Sequence, residues 1–229
     1  MSAVRARTVV LLSGGLDSAA NLAICSSLDE PVLALTADYG QRAAARENEA
    51  AVALARFYGV EHRAVDLRWL GALGGSSLTS RGEAVPVLDS SRLDHLPTIQ
   101  EAARSVWVPN RNGVLINVAA SYAERIGAAR VLVGFNREEA TTFPDNSEDY
   151  LSAATRALSY STAGRVVLHC YTTELDKSEI VARLRGLARP FPFELLWSCY
   201  HGGVKPCGEC ESCQRLRRAT GHASGHAVG

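Results

Sequence analysis

The stretch LLSGGLDS, residues 11–18, decides how the rest of the chain is read. The apolar run 9–12 predicts a short core strand. A core strand has no need to end in a hydroxyl, two glycines, an acid and a second hydroxyl. A phosphate site does. Glycines let backbone N–H groups turn toward an anion that approaches the chain closely. The helix predicted over 17–28 aims the positive end of its dipole at the same point. Ser13 and Ser18 add hydroxyl donors. Asp17 repels a bare phosphate, but it suits a site in which Mg²⁺ lies between carboxylate and phosphate oxygens. The predicted anion-binding residues are therefore Leu12, Ser13, Gly14, Gly15, Leu16, Asp17 and Ser18. Neither G-x-x-x-x-G-K-[ST] nor G-x-G-x-x-G occurs here, so this is a different phosphate loop.

Outward from the loop, strand and helix signals alternate. A second buried strand is predicted over 31–37. A helix over 42–58 stops at Gly59, and a third strand spans 61–66. Further helices are predicted over 111–126, stopping at Gly127, over 147–158, where Ser147 is a candidate cap, and over 176–187. Strands at 129–134 and 166–169 lie between them. The alternation predicts an α/β fold, a Rossmann-like parallel sheet with helices on both faces. Its site belongs at the carboxyl ends of the strands where the strand order reverses. Residues 70–106, with glycines, hydroxyls and prolines, read as an irregular insertion of the kind that forms lids or binding loops. Residues 1–192 then form the nucleotide-binding domain, 193–219 a small metal-binding segment, and 220–229 a disordered tail.

Charge and length exclude several classes. The chain has 229 residues, with 24 Lys plus Arg against 24 Asp plus Glu. That balance argues against a broad basic surface for nucleic acid. No apolar run approaches the ~18 to 20 residues of a membrane span. The apolar run after the two N-terminal arginines is cut short by SGGLDS, which does not fit a secretory signal. A cytoplasmic protein is expected.

Four of the six cysteines crowd together as C-x7-C-x2-C-x2-C: Cys199, Cys207, Cys210 and Cys213. In a reducing compartment this spacing reads as metal ligation, not a disulfide framework. Four thiolates complete a structural zinc site and leave no open position. An iron–sulfur cluster is the competing occupant, although there the fourth cysteine usually follows the triplet. Cys25 and Cys170 read as packing residues.

The S-G-G-x-D-S string resembles the PP-loop of the N-type ATP pyrophosphatases, which cleave ATP between the α and β phosphates and use AMP to activate a carbonyl oxygen. Further segments narrow the resemblance: ADYGQR (37–42), VPNRN (108–112), GFNREE (134–139), ELDKSEI (174–180) and FELLWSCYHGGVKPCGECESCQR (193–215). Together they resemble the 7-cyano-7-deazaguanine (preQ0) synthase family, over about residues 8–218. That resemblance implies conversion of 7-carboxy-7-deazaguanine to the nitrile with ATP and ammonia, in a homodimer with one zinc per chain, Mg²⁺ and free ammonia. It implies catalytic roles for Asp17, Lys177 and Arg111, and substrate contacts from Asp38, Tyr39, Gln41, Arg42, Arg111, Asn112, Asn136 and Glu138. Lys177 would act on phosphate as a point charge. Arg111 would clamp a carboxylate or phosphate. Trp197 and Tyr200 are expected to pack the metal knuckle.

The chain departs from the family pattern at Ala37, at Asn110 and within Phe143-Pro144-Asp145-Asn146-Ser147, where many members of the family carry Tyr-Pro-Asp-Cys-Arg. These departures keep open a related ligase that stops at the amide or uses another amine. A PP-loop tRNA thiolase would call for a labile cluster and a more basic surface. A non-enzymatic zinc module binding nucleic acid would leave SGGLDS unexplained.

Overall fold

The computed structural model describes residues 6–221. Five parallel strands form one sheet: β1 (Arg7–Leu11), β2 (Glu30–Asp38), β3 (Glu61–Asp66), β4 (Arg130–Leu132) and β5 (Val167–His169). Their order is β3-β2-β1-β4-β5. From β1 the chain first builds outward through β2 and β3, then crosses back to place β4 on the other side of β1. This reversal is the switch point at which ligands bind in open parallel sheets, and the 13–18 loop leaves β1 at that point.

The central strands are apolar at consecutive positions because both their faces are covered. Val10 and Leu12 pack with α1 (Leu16–Leu28), α2 (Ala44–Tyr58) and α8 (Lys177–Arg185) on one face. Val9, Leu33, Val131 and Leu168 pack on the opposite face with α5 (Arg111–Ile126) and α7 (Glu148–Ser161). Helix ends follow the residues that favour them. Gly59 and Gly127 close α2 and α5 in the left-handed conformation. Ser147 caps α7 by accepting from the Tyr150 N–H at 3.1 Å. Asp176 and Glu179 form a capping box at the start of α8.

The insertion is more regular than the sequence suggests. After α3 (Arg68–Gly71) and a 3₁₀ turn (Ser90–Arg92), it folds into α4 (Leu96–Val106). Pro97 sits in the first turn, where its missing N–H costs no helical bond. Ile99, Ala102, Ala103 and Val106 then bury one helical face. Pro97 thus marks a helix start within a segment whose glycines, hydroxyls and prolines suggest irregular structure. The cysteine segment likewise ends in a helix, α9 (Glu211–Thr220), which carries Cys213 and packs beside α8. Thr220 therefore belongs to α9, and residues 222–229 of the expected tail lie outside the described residues. Cys25 is fully buried in α1, and Cys170 is half-buried, its sulfur 3.4 Å from the Phe135 N–H nitrogen. No helix among the described residues is long and apolar enough to cross a membrane.

The end of β4 lies against the start of α1 so closely that a Cβ on Gly134 would sit 2.6 Å from Ser18 N and 2.7 Å from Ser18 Cα. Both are backbone atoms and cannot rotate away. Gly134→Ala is expected to lose roughly 1–3 kcal/mol of stability, read as a lowered urea midpoint. An unchanged midpoint would contradict this packing.

Candidate active site

A cleft of about 280 Å³ opens at the carboxyl ends of β1, β2 and β4. The 13–18 loop forms its base. Gly14 has φ +83°, and a Cβ there would meet the Ala50 Cβ at 2.7 Å. Its carbonyl accepts from the Trp197 N–H at 3.0 Å. The loop is thus clamped between α2 and the segment that leads to the cysteines. Inside it, the Ser13 and Ser18 hydroxyls lie 3.0 Å apart, and the Ser13 N–H donates to Ser18 Oγ at 3.2 Å. Gly15 occupies the N-cap of α1, and no side chain caps that helix. Its first turn therefore faces the cleft without an internal acceptor, which is the arrangement an anion requires.

Above the loop, the Lys177 ammonium lies 2.6 Å from Asp17 Oδ2 and 2.9 Å from Glu139 Oε1. Lys177 begins α8, Asp17 begins α1, and Glu139 lies on α6 (Arg137–Ala140). The lysine side chain is 9% exposed and that of Asp17 15%. Burial works against the ammonium's charge, and the two carboxylates overcome it, holding Lys177 protonated well above its ordinary range. Burial also pushes the Asp17 carboxyl up, against the pull of Lys177. Burial opposes the Glu139 charge too, but Lys177 outweighs it and lowers that pKa. Asp17 Oδ1 is buried and has no hydrogen-bond partner among the described residues. A buried carboxylate oxygen of this kind fits a hard divalent cation.

Arg111 opens α5 on the other side of the cleft. Its guanidinium sits 5.7 Å from the Tyr39 ring centroid and donates to the Tyr39 hydroxyl at 3.5 Å. Among the described residues no carboxylate lies within ion-pair distance of it. Burial disfavours its charge, and Tyr39, Asp145 and Glu139 more than compensate. A desolvated guanidinium without a partner carboxylate is suited to an incoming anion.

The cleft is lined by Tyr39, Gln41, Arg111 and Asn112, together with Leu12, Ser13, Gly15, Leu16, Asp17, Ser18 and Lys177. Gln41 is largely committed to the fold: its amide accepts from the Tyr39 N–H and donates to the Ala37 carbonyl and Glu47. Asn112 donates to the Asp145 carbonyl at 3.3 Å. Asp38, Arg42, Asn136 and Glu138 do not line the cleft, and each is held elsewhere. Asp38 accepts from the Gly40 N–H. Arg42 donates to the Ser80 and Glu83 carbonyls and ties down the insertion. Asn136 is fully buried and caps α6 by accepting from the Glu139 N–H at 2.9 Å. Glu138 accepts from Arg215 at 2.8 Å, from Arg218 at 3.1 Å and from the Lys177 N–H at 3.1 Å. It thereby joins α6, α8 and α9.

The four cysteine sulfurs Cys199, Cys207, Cys210 and Cys213 all lie within 4.8 Å of one another. Tetrahedral coordination at about 2.3 Å requires sulfurs roughly 3.8 Å apart. The His201 and Cys207 N–H groups each approach Cys199 Sγ at 3.3 Å. Such N–H donors favour thiolates. The sulfurs fit a single metal ion, and the cleft lining includes Trp197 and Tyr200 from the same segment.

Residues 7–224 match the family described as Queuosine biosynthesis protein QueC. The chain belongs to the QueC family. It is 51% identical over 220 residues to the 7-cyano-7-deazaguanine synthase of Desulforudis audaxviator, covering 96% of this chain and 99% of that one. It is 48% identical over 219 residues to the enzyme of the same name from Bdellovibrio bacteriovorus, covering 95% and 94%. With the synthase of Methanosarcina mazei it shares 47% over 216 residues, covering 93% of each.

Within this QueC-family cleft, sequence reasoning missed Glu139 and Arg215. Glu139 was available in GFNREE, but nothing in one sequence tells which of two adjacent acids turns inward. Arg215 lies 9% exposed between Glu138 and Glu211, and reading it required α9 to be seen as a helix. Lys177→Met leaves the largely buried Asp17 carboxylate and the half-buried Glu139 carboxylate without their cation. A loss of about 3–5 kcal/mol at neutral pH is expected. In that variant the desolvation that is the largest influence on both Asp17 and Glu139 is no longer opposed by Lys177, and it raises their pKa values. A raised folded pKa gives stability that is present at low pH and lost as pH rises through it. The deficit against wild type should therefore shrink on acidification toward pH 5, measured by urea unfolding at each pH. A deficit independent of pH would contradict the buried-charge account.

Proposed function

We propose that this protein converts 7-carboxy-7-deazaguanine to 7-cyano-7-deazaguanine, using ATP and ammonia and releasing AMP and pyrophosphate. The observation that carries the reading is the buried Asp17–Lys177–Glu139 cluster above an uncapped helix start, in a chain of the QueC family. A carboxylate oxygen is a very poor leaving group. Its attack on the α-phosphorus of ATP forms the acyl adenylate and expels pyrophosphate. Ammonia then adds at the acyl carbon, AMP leaves, and one N–H proton passes to base, giving the amide. The amide oxygen attacks a second ATP, again expelling pyrophosphate. Loss of AMP and of the remaining N–H protons leaves the C≡N bond.

In this scheme the 13–18 loop binds the phosphates through N–H groups and hydroxyls. Lys177, held protonated by two carboxylates, offsets charge as it develops on them. Arg111 orients the substrate carboxylate or the α-phosphate. Asp17 Oδ1 would hold Mg²⁺, which supplies charge neutralisation between the phosphates. The four cysteines would hold a structural zinc that fixes the chain from Trp197 to α9 against the cleft. The reading takes the enzyme as a cytoplasmic homodimer that acts on small molecules and on neither nucleic acid nor membrane. The balance of 24 basic and 24 acidic residues supports the absence of a broad nucleic-acid surface.

Incubation with ATP, Mg²⁺, ammonium and 7-carboxy-7-deazaguanine, followed by mass spectrometry, is expected to give the nitrile with two AMP and two pyrophosphate per turnover. Accumulation of amide with one AMP would replace this reading with an amide-forming ligase. Asp17→Asn should lower kcat by about 10²–10³-fold. Elemental analysis should find one zinc per chain, and Cys207→Ser should lose it together with stability. Protein that is metal-free, or that carries iron, would refute the zinc assignment.

A further inference from the structure

Phosphate chemistry accounts for the base of the cleft, but not for its opposite end. There the rings of Trp107 and Phe143 lie parallel within 6°, their centroids 6.2 Å apart. Both line the cleft, so this parallel aromatic pair is open to a ligand and is not part of the core. Trp107 is the residue at which α4 ends, and Phe143 precedes the 3₁₀ turn Pro144–Asn146. The two rings come from segments far apart in the chain. Two residues beyond Phe143, the Asp145 carboxylate also lines the cleft. One of its oxygens accepts from Asn146 Nδ2 at 3.1 Å. Its backbone carbonyl is held by Asn112. The Asp145 backbone is thus anchored to α5, and its carboxylate, with four lone-pair sites, retains acceptor capacity.

We infer that Trp107, Phe143 and Asp145 form the subsite that selects the 2-amino-4-oxo ring of the deazapurine, the ring stacking on the aromatic pair and its N1–H and 2-amino group donating to Asp145. This inference rests on the function proposed above and names the residues that read its substrate. The chemistry separates the two heterocycles that must enter the same cleft. A guanine-type ring presents two adjacent N–H donors, which match the two oxygens of a carboxylate. Adenine presents an acceptor at N1 and only hydrogen at C2, so Asp145 offers it no pair of bonds and repels its lone pair. Stacking is tolerant of ring identity, whereas the carboxylate is not. Trp107 and Phe143 therefore supply affinity and Asp145 supplies discrimination. A group built to accept from a donor rejects analogues that lack it far more strongly than a change in apolar bulk does.

The test compares wild type with Asp145→Asn and Trp107→Ala, using the same mass-spectrometric assay. Asparagine keeps the shape but offers an N–H where the ring also offers one. KM for 7-carboxy-7-deazaguanine should rise at least about ten-fold in Asp145→Asn, while KM for ATP stays within about two-fold. The analogue without the 2-amino group should be a poor substrate for wild type, and Asp145→Asn should lose most of that preference. Trp107→Ala should raise KM for the acid by roughly ten-fold, and Trp107→Phe should restore most of it. Asp145→Asn with unchanged KM and unchanged preference would overturn the inference and leave the proposed function standing. A wild-type protein that does not turn over the acid at all would remove both. A parallel rise in KM for ATP would show a general distortion of the cleft and would also refute the assignment.

Discussion

One buried ammonium joins the parts of this fold that matter for chemistry. Lys177 at the head of α8 reaches Asp17 at the head of α1 and Glu139 on α6. These segments lie far apart in the chain and meet only at the carboxyl ends of the strands. With the lysine in place, two carboxylates can stand largely out of water next to the 13–18 loop. Without it, they would repel one another and any phosphate that entered. The position is also economical: the same contact that holds three helix starts together presents a permanent positive charge to the cleft.

The cysteine segment is tied to this centre by a second set of charges. Arg215 on α9 lies between Glu138 and Glu211 and donates to the Leu93 carbonyl, and Arg218 reaches Asp94. Glu138 in turn accepts from the backbone of Lys177. On the other side, the Trp197 N–H holds the carbonyl of Gly14. A metal held by the four cysteines would therefore act at a distance. It would fix a short polar segment with little apolar area of its own, and that segment braces both the 13–18 loop and the helix that carries Glu138 and Glu139. The insertion enters the same construction, since Leu93 and Asp94 are held by α9 and the end of α4 lines the cleft. What looks like three modules in the sequence is one wall.

Local rules made much of this legible. The strands at 7–11, 30–38 and 61–66 are apolar or loosely alternating runs between turn signals. The glycines at 59 and 127 stop their helices, and Ser147 and Asp176 start theirs, because caps act within a few residues. The insertion was less legible. Pro97 and the glycines around 74 resemble loop chemistry, and the four apolar residues of α4 form too short a pattern to outweigh them. The same holds for α9, where a polar sequence rich in arginine becomes a helix because it packs on α8 and carries a ligand cysteine.

The sequence by itself determined the glycine turn at 13–18, the strand–helix alternation and the spacing of the four thiols. Each of these depends on residues within about a turn or a strand of one another, where backbone geometry dictates the outcome. Only the tertiary structure decided which predicted site residues face the cleft. Tyr39, Arg111 and Asn112 do; Asp38, Arg42, Asn136 and Glu138 are consumed by caps, carbonyls and ion pairs. It alone brought Glu139 to Lys177, and Trp107 to Phe143 beside Asp145. A polar side chain near a strand end has the same local signature whether it binds a ligand or satisfies the fold. The difference lies in which donors and acceptors from distant segments reach it first, and that is settled by packing.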